Sequence, residues 1–184
     1  MRKLKLQVQT TIDGYMSGPN GEMGWMAFPW SDDLAARVSA ITAEFDTIVL
    51  GRKLAEGFIP HWASKPEHEP QAAIDQMNNT PKVVISDSLT ESPWENTVVA
   101  GGDLTEIIDG LKAQPGGDII VYGGGTLVAN LIAENLIDDL HLFVNPNAIG
   151  AGLPVFRGTT RLDLVTATGF ECGVTELHYR PKSA

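Results

Sequence analysis

Disulfide chemistry has no material to work with in this sequence: its 184 residues hold a single cysteine, Cys172. An intrachain disulfide framework is excluded, and a lone thiol suits a reducing cytosol. Cys172 itself reads as a small buried hydrophobe. No apolar run approaches membrane-span length, and Met1-Arg2-Lys3 leads straight into a strand pattern without the apolar stretch of a signal peptide. These absences predict a cytoplasmic protein. Basic residues are also scarce, with 13 Lys and Arg against 23 Asp and Glu and a formal net charge of -10. A nucleic-acid backbone needs a basic face, so nucleic acid is excluded as a partner. An anionic small molecule is not, because a few local cations and backbone amides can hold one. Standard nucleotide motifs are missing too. A G-x-G-x-x-G fingerprint would need glycine where Val128 stands, and Gly125 is followed by Thr126 where a P-loop would require lysine. His61 and His68 have no cysteine or spaced carboxylate pattern around them; they read as surface histidines, and no metal site is predicted.

What is present centres on residues 119–132, I-I-V-Y-G-G-G-T-L-V-A-N-L-I. The run Ile119, Ile120, Val121, Tyr122 predicts a buried strand. Gly123, Gly124 and Gly125 break it, and Leu127, Val128, Leu131 and Ile132 recur at helical spacing. Strand, glycine turn and helix together aim free backbone N–H groups and the positive end of a helix dipole at one spot. A phosphate or pyrophosphate can sit there, because glycine has no Cβ to keep it away.

The rest of the chain supplies similar strand ends. Leu4 to Thr10 alternates with period two and predicts a strand, followed by a long mobile loop over 10–21 that could act as a lid. Ser31 reads as an N-cap with Asp32 and Asp33 in the first turn, and Leu34, Val38, Ile41 and Phe45 mark one helix face. Asp33 is spaced to pair with Arg37. Asp46 to Leu50 predicts a strand ending in Gly51, Arg52 and Lys53, a phosphate clamp in an acidic chain. A short helix is predicted over 70–77. Strands follow at 82–85, ending in Ser86-Asp87-Ser88, and at 97–100. A capped helix opens at Asp103, and three further strands cover 139–144, 162–168 and 174–179, the last two as an antiparallel pair. This order predicts a single α/β domain over 1–184: a mostly parallel central sheet with antiparallel C-terminal strands and helices on both faces. Ligands in such sheets bind at the carboxyl ends of the strands, where 51–53, 86–88 and 123–126 would lie together.

The motifs T-I-D-G at 11–14, I-V-L-G-R at 48–52, P-K-V-V-I-S at 81–86, V-Y-G-G-G-T-L at 121–127 and the spaced glycines and prolines from Pro146 to Phe156 cover nearly the whole chain. In this order and spacing they resemble the dihydrofolate reductase-like superfamily, especially the reductase domain of the riboflavin-biosynthesis deaminase/reductase and its stand-alone bacterial relatives. The resemblance implies a dihydrofolate reductase-like fold and an NADPH-dependent reductase acting on a small pterin-like or pyrimidine-like heterocycle. The alternative is an NADP(H)-binding module without turnover. By the same resemblance Gly123, Gly124, Gly125, Thr126 and Leu127 would hold the pyrophosphate, with a cis peptide between two of the glycines. Gly51, Arg52 and Lys53 would meet the phosphates, with Ser86 and Asp87 at the adjoining strand end, and Arg52 and Ser86 favouring the 2′-phosphate. Ile12 and Gly14 would lie over the nicotinamide, Trp30 and Tyr122 would border the substrate, and Asp33 would be the catalytic carboxylate. A homodimer is implied as well. The chain departs from the pattern in lacking the zinc motif of the deaminase half and the arginine-rich ribose-phosphate patterns. Phe143 also stands where folate reductases place a threonine.

Overall fold

The computed structural model describes residues 1–182. The chain runs through β1 (Leu4–Thr11), β2 (Tyr15–Ser17), α1 (Asp32–Thr42), β3 (Phe45–Gly51), α2 (Arg52–Ala63), α3 (Gln71–Asn79), β4 (Lys82–Ile85) and β5 (Thr97–Ala100). It continues with α4 (Leu104–Ala113), β6 (Asp118–Val121), α5 (Gly125–Ala133), β7 (Asp139–Asn145), β8 (Leu153–Pro154), β9 (Leu162–Gly169) and β10 (Thr175–Pro181). Eight strands form one sheet in the order β5-β4-β3-β6-β1-β7-β10-β9, and β2 pairs with β8 in a separate ribbon. The pairs from β5 to β7 are parallel, whereas β7–β10 and β10–β9 are antiparallel. This is the predicted sheet. No helix among the described residues is long and apolar enough to cross a membrane.

Period-two alternation divides the core between the two faces. On one face Leu4, Leu6, Val49, Ile119 and Val121 pack against Ile108 of α4 and Leu127, Val128 and Leu131 of α5. On the other, Ile48, Leu50, Ile120 and Phe143 pack against Leu34 and Ile41 of α1, Ala55 and Ile59 of α2, and Met77 of α3. Each such aliphatic side chain, fully buried, contributes about 1.5–3 kcal/mol. Helices therefore cover both faces, because both faces of the central strands are apolar.

Three local expectations are corrected. Phe45 opens β3 instead of closing α1. Residues 52–63, where no helix was predicted, form α2 with Gly57 and Pro60 inside it. Its Leu54, Ala55, Phe58, Ile59 and Trp62 make an apolar stripe on the core, and that packing outweighs two helix-breaking residues. The 10–21 segment is not a free loop: β1 runs to Thr11, and β2 is hydrogen-bonded to β8.

Arg37 also finds a different partner. It donates to Glu176 of β10 from Nε (2.6 Å) and a terminal nitrogen (2.8 Å), a bidentate geometry that a one-turn pairing with Asp33 cannot match. His141 Nδ1 lies 2.8 Å from the same carboxylate, and the His141 ring stacks on His178 at 4.2 Å. His178 Nε2 (2.6 Å), Arg180 Nε (2.8 Å) and Lys3 Nζ (3.1 Å) converge on Asp139. Burial pushes both carboxyls up. Hydrogen bonds from His141 and Arg37 to Glu176, and from Arg180, His178 and Lys3 to Asp139, outweigh it and hold each at about 2.

A carboxyl held below its unfolded value, 4.5 for Glu and 3.8 for Asp, binds its proton more readily when unfolded. Its stabilisation is complete above that unfolded value and drains away as pH falls toward about 2. Urea denaturation at stepped pH is expected to show stability falling below about pH 4.5. Glu176→Gln, which leaves Arg37 and His141 facing a neutral amide, is expected to cost about 3 kcal/mol at neutral pH and to flatten the acid limb.

Candidate functional site

Three parallel neighbours, β4, β3 and β6, end at the same edge of the sheet. Gly51 of β3 stands opposite Ile85 of β4, so Arg52 and Ser86 are the first residues beyond the two strands, and Val49 stands opposite Val121. Gly51 caps α2 and Gly124 caps α5, neither with a side-chain hydrogen bond, so the first-turn amides of both helices are left free. The two turns touch. A Cβ on Gly124 would lie 3.6 Å from the Gly51 nitrogen, and one on Gly51 would lie 3.5 Å from Leu127 Cβ. Gly123 (φ 146) and Gly124 (φ 91) take backbone conformations that side chains disfavour. The turn is therefore made by positive φ. The cis peptide expected between two glycines is absent, and the one cis bond among the described residues joins Phe28 to Pro29.

Charge at this edge is modest. Arg52 is half-exposed and pairs with Glu56 one turn along α2 at 2.6 Å, while Lys53 is exposed with no ion pair among the described residues. Ser86 Oγ accepts from the amides of Ser88 and Leu89 at 3.2 Å, and Asp87 accepts from the Gly102 amide at 2.9 Å. Thr126 is exposed at the start of α5.

The end of β1 joins this edge through the β2–β8 ribbon. Ile12 N donates to Asn147 O (2.9 Å), Val155 N to Gly14 O (3.1 Å), and the Asp13 carboxylate accepts from Gly150 N at 2.7 Å. Leu153 of β8 rests on Gly125, where any Cβ would collide with it. Ile12 itself is 65% exposed, an apolar side chain left facing outward beside the glycine turn's own ribbon.

Two asparagines that sequence reasoning passed over hold the next wall. Asn145, fully buried at the end of β7, accepts from Ala27 N at 2.9 Å and donates to Gln9 Oε1 at 2.8 Å. Asn147 donates to Trp25 O at 2.7 Å. Together they fix the 25–30 segment that carries Trp30. The available signal was the Asn-Pro-Asn directly after a strand, where a buried amide can terminate the ladder.

Trp30 and Tyr122 both pack on the apolar cluster of α1, α2 and Phe143. Tyr122 stacks on Phe58 at 5.6 Å and meets Phe45 edge-on at 6.1 Å. Its hydroxyl and Trp30 Nε1 are buried without hydrogen-bond partners among the described residues. Thr42 neighbours Tyr122, but its hydroxyl donates to Val38 O at 2.8 Å. Burial pushes the Tyr122 phenol up, with Thr42 opposing, so it stays protonated.

Asp33 is not in this group. It is exposed, as is Asp32, and its carboxylate accepts from Leu34 N (2.8 Å) and Glu171 N (3.1 Å). The Ser31 hydroxyl and those amides hold it below the usual carboxylate range, so it is ionised at neutral pH. Its visible job is to tie the start of α1 to the turn between β9 and β10.

This topology, with abutting glycine turns at the carboxyl edge of the sheet, is a dihydrofolate reductase-like fold. The model of the RibD C-terminal domain matches residues 2–175, and the chain belongs to that family. The Bacillus subtilis protein YyaP is 26% identical over 182 residues, covering 97% of this chain and 94% of its own. A structure from Shewanella sp. PV-4, described as a riboflavin biosynthesis protein, superposes with a TM-score of 0.77 at 23% identity and full coverage of both chains. Dihydrofolate reductase from Enterococcus faecalis, complexed with NADP(H), superposes with a TM-score of 0.62 at 17% identity, over 98% of this chain and 97% of that one.

Adding one methyl group tests the glycine turn. Gly124→Ala is expected to lose about 1–3 kcal/mol in thermal or urea unfolding, because its φ of +91° is one that side chains rarely adopt. Gly57→Ala, inside α2 with open space around it, is the control and is expected to gain about 0.5–1 kcal/mol.

Proposed function

We propose that this protein is an NADPH-dependent reductase that transfers a hydride to a pterin-like or pyrimidine-like heterocycle. The observation that carries this reading is the abutment of two helix N-termini, both without side-chain caps, at Gly51 and Gly124. Their free amides suit the two phosphates of a dinucleotide, and the space a Cβ at Gly124 would fill is the approach such a group needs. In this reading Gly123, Gly124, Gly125, Thr126 and Leu127 hold the pyrophosphate with Gly51 and Lys53. Arg52, released from Glu56, and Ser86 take the 2′-phosphate, and Asp87 keeps the neighbouring strand end in shape. Ile12 and Gly14 form the ledge for the nicotinamide. The family context and the NADP(H) complex of the Enterococcus enzyme support the choice of cofactor.

NADPH, when bound, supplies the hydride. The chain's own residues orient the reactants and exclude water. Trp30 Nε1 and the Tyr122 hydroxyl, buried polar groups without hydrogen-bond partners by geometry among the described residues, would bind the carbonyl or ring nitrogen of a heterocycle. Tyr122, protonated and neutral, would donate a hydrogen bond to the charge that develops there. Asp33 has a positioning role in this scheme: its carboxylate holds α1 in place and, being ionised, has no proton to give. A homodimer belongs to the same reading, and the exposed Leu164 and Val165 of β9 are apolar surface available to it.

The exposure of both Asp32 and Asp33 favours a second reading, an NADP(H)-binding module without turnover. One experiment separates the two. Tryptophan fluorescence titrations are expected to show NADPH binding more tightly than NADH, with Arg52→Ala weakening NADPH by about tenfold to a hundredfold, as for loss of a charge-assisted hydrogen bond. NADPH consumption with dihydrofolate or riboflavin-pathway pyrimidines then supports the reductase; binding without consumption across that panel supports the module. Failure to bind either nucleotide removes both.

A further inference from the structure

We propose that His61, His68 and Glu69 form a binding site for a divalent late transition-metal ion of the Zn²⁺ class, separate from the glycine-turn edge and independent of the reading above. Their ligand atoms all lie within 4.8 Å of one another, and His68 Nε2 is 3.8 Å from Glu69 Oε1. Metal bonds of about 2.0–2.1 Å place tetrahedral ligands about 3.3 Å apart, so small rotations of the exposed imidazoles close the set. Two imidazoles and one carboxylate are the donor set that suits Zn²⁺, Co²⁺ or Ni²⁺, with water completing the shell.

The backbone holds these residues in place before any ion arrives. His61 lies in the last turn of α2, and the connection to α3 folds back so that His68 faces it, with ring centroids 6.2 Å apart. Ser64 N donates to Pro60 O (3.0 Å), Ser64 Oγ to His61 O (2.7 Å) and Glu69 N to Pro66 O (3.0 Å). Asn78 of α3 donates to Trp62 O at 2.9 Å, anchoring the end of α2 to its neighbour. Prolines at 60, 66 and 70 restrict the same stretch. A cation there also sits at the carboxyl end of α2, the end of the helix dipole that favours positive charge.

A reporter is built in. Trp62 meets the His61 ring edge-on at 5.4 Å and packs on Phe58 at 6.1 Å, which in turn stacks on Tyr122. Tag-free protein is titrated with Co²⁺, read by visible ligand-field absorbance and by quenching of tryptophan fluorescence, then back-titrated with Zn²⁺. Saturable uptake of a single Co²⁺ per chain, displaced by Zn²⁺, is expected. His61→Ala and His68→Ala are each expected to weaken it by at least about tenfold, with Glu69→Gln also weaker. Trp62→Phe should abolish most of the quenching and keep the absorbance. All three ligands are surface residues, and circular dichroism checks that the variants fold. No saturable absorbance in the wild type, or wild-type affinity retained in either histidine variant, overturns the proposal.

Discussion

How near the backbone at Gly124 comes to the backbone at Gly51 decides the shape of the whole carboxyl edge. β3 and β6 are parallel neighbours, so each must hand over to a helix on leaving the sheet, and those helices lie on opposite faces. Two such exits side by side bring the turns into van der Waals range, and the β6 exit is made through positive φ at Gly123 and Gly124. The helix starts at Gly51 and Gly124 have no side-chain caps among the described residues, which leaves two sets of first-turn amides together. A chain with a net charge of -10 can then attract an anion with little basic surface, because part of the positive potential comes from the backbone.

The opposite half of the sheet is organised by buried charge. Glu176 and Asp139, each nearly inaccessible, gather Arg37, His141, His178, Arg180 and Lys3 across β7, β10, α1 and the residue before β1. Such pairs contribute little net stability relative to apolar packing, but they are costly to break singly. Their effect here is positional. Arg37 and Asp33 fix α1 at two points, and α1 carries the apolar wall against which Trp30 and Tyr122 lie.

Much of this was readable from the chain because its signals are local. β4 and β5 fall on the predicted residues, the glycine triplet joins a strand to a helix, and Asp103 caps α4 by accepting from Glu106 N at 2.9 Å. Helix α2 was not legible, since Gly57 and Pro60 speak against it locally and only packing against β3, β4 and α3 overrules them. The partners of Arg37 and Asp33 were also hidden. Both lie more than a hundred residues away on β10 and its preceding turn, and the one-turn pairing was the only alternative visible in sequence. Asn145 reads as an ordinary turn residue until the 25–30 segment is seen to end on it. His61 and His68 look unrelated for the same reason as α2: their meeting depends on a helix the pattern did not show.

The β2–β8 ribbon carries an evolutionary consequence. Residues 11–17 and 147–155 are laced together by Ile12, Asp13, Gly14 and Leu153, so they form a single mechanical body beside the glycine turn. A change of length in one segment becomes a misfit in the other. Lineages that diverge on this scaffold must therefore alter the two segments in step, and covariation between them is the mark such a history would leave.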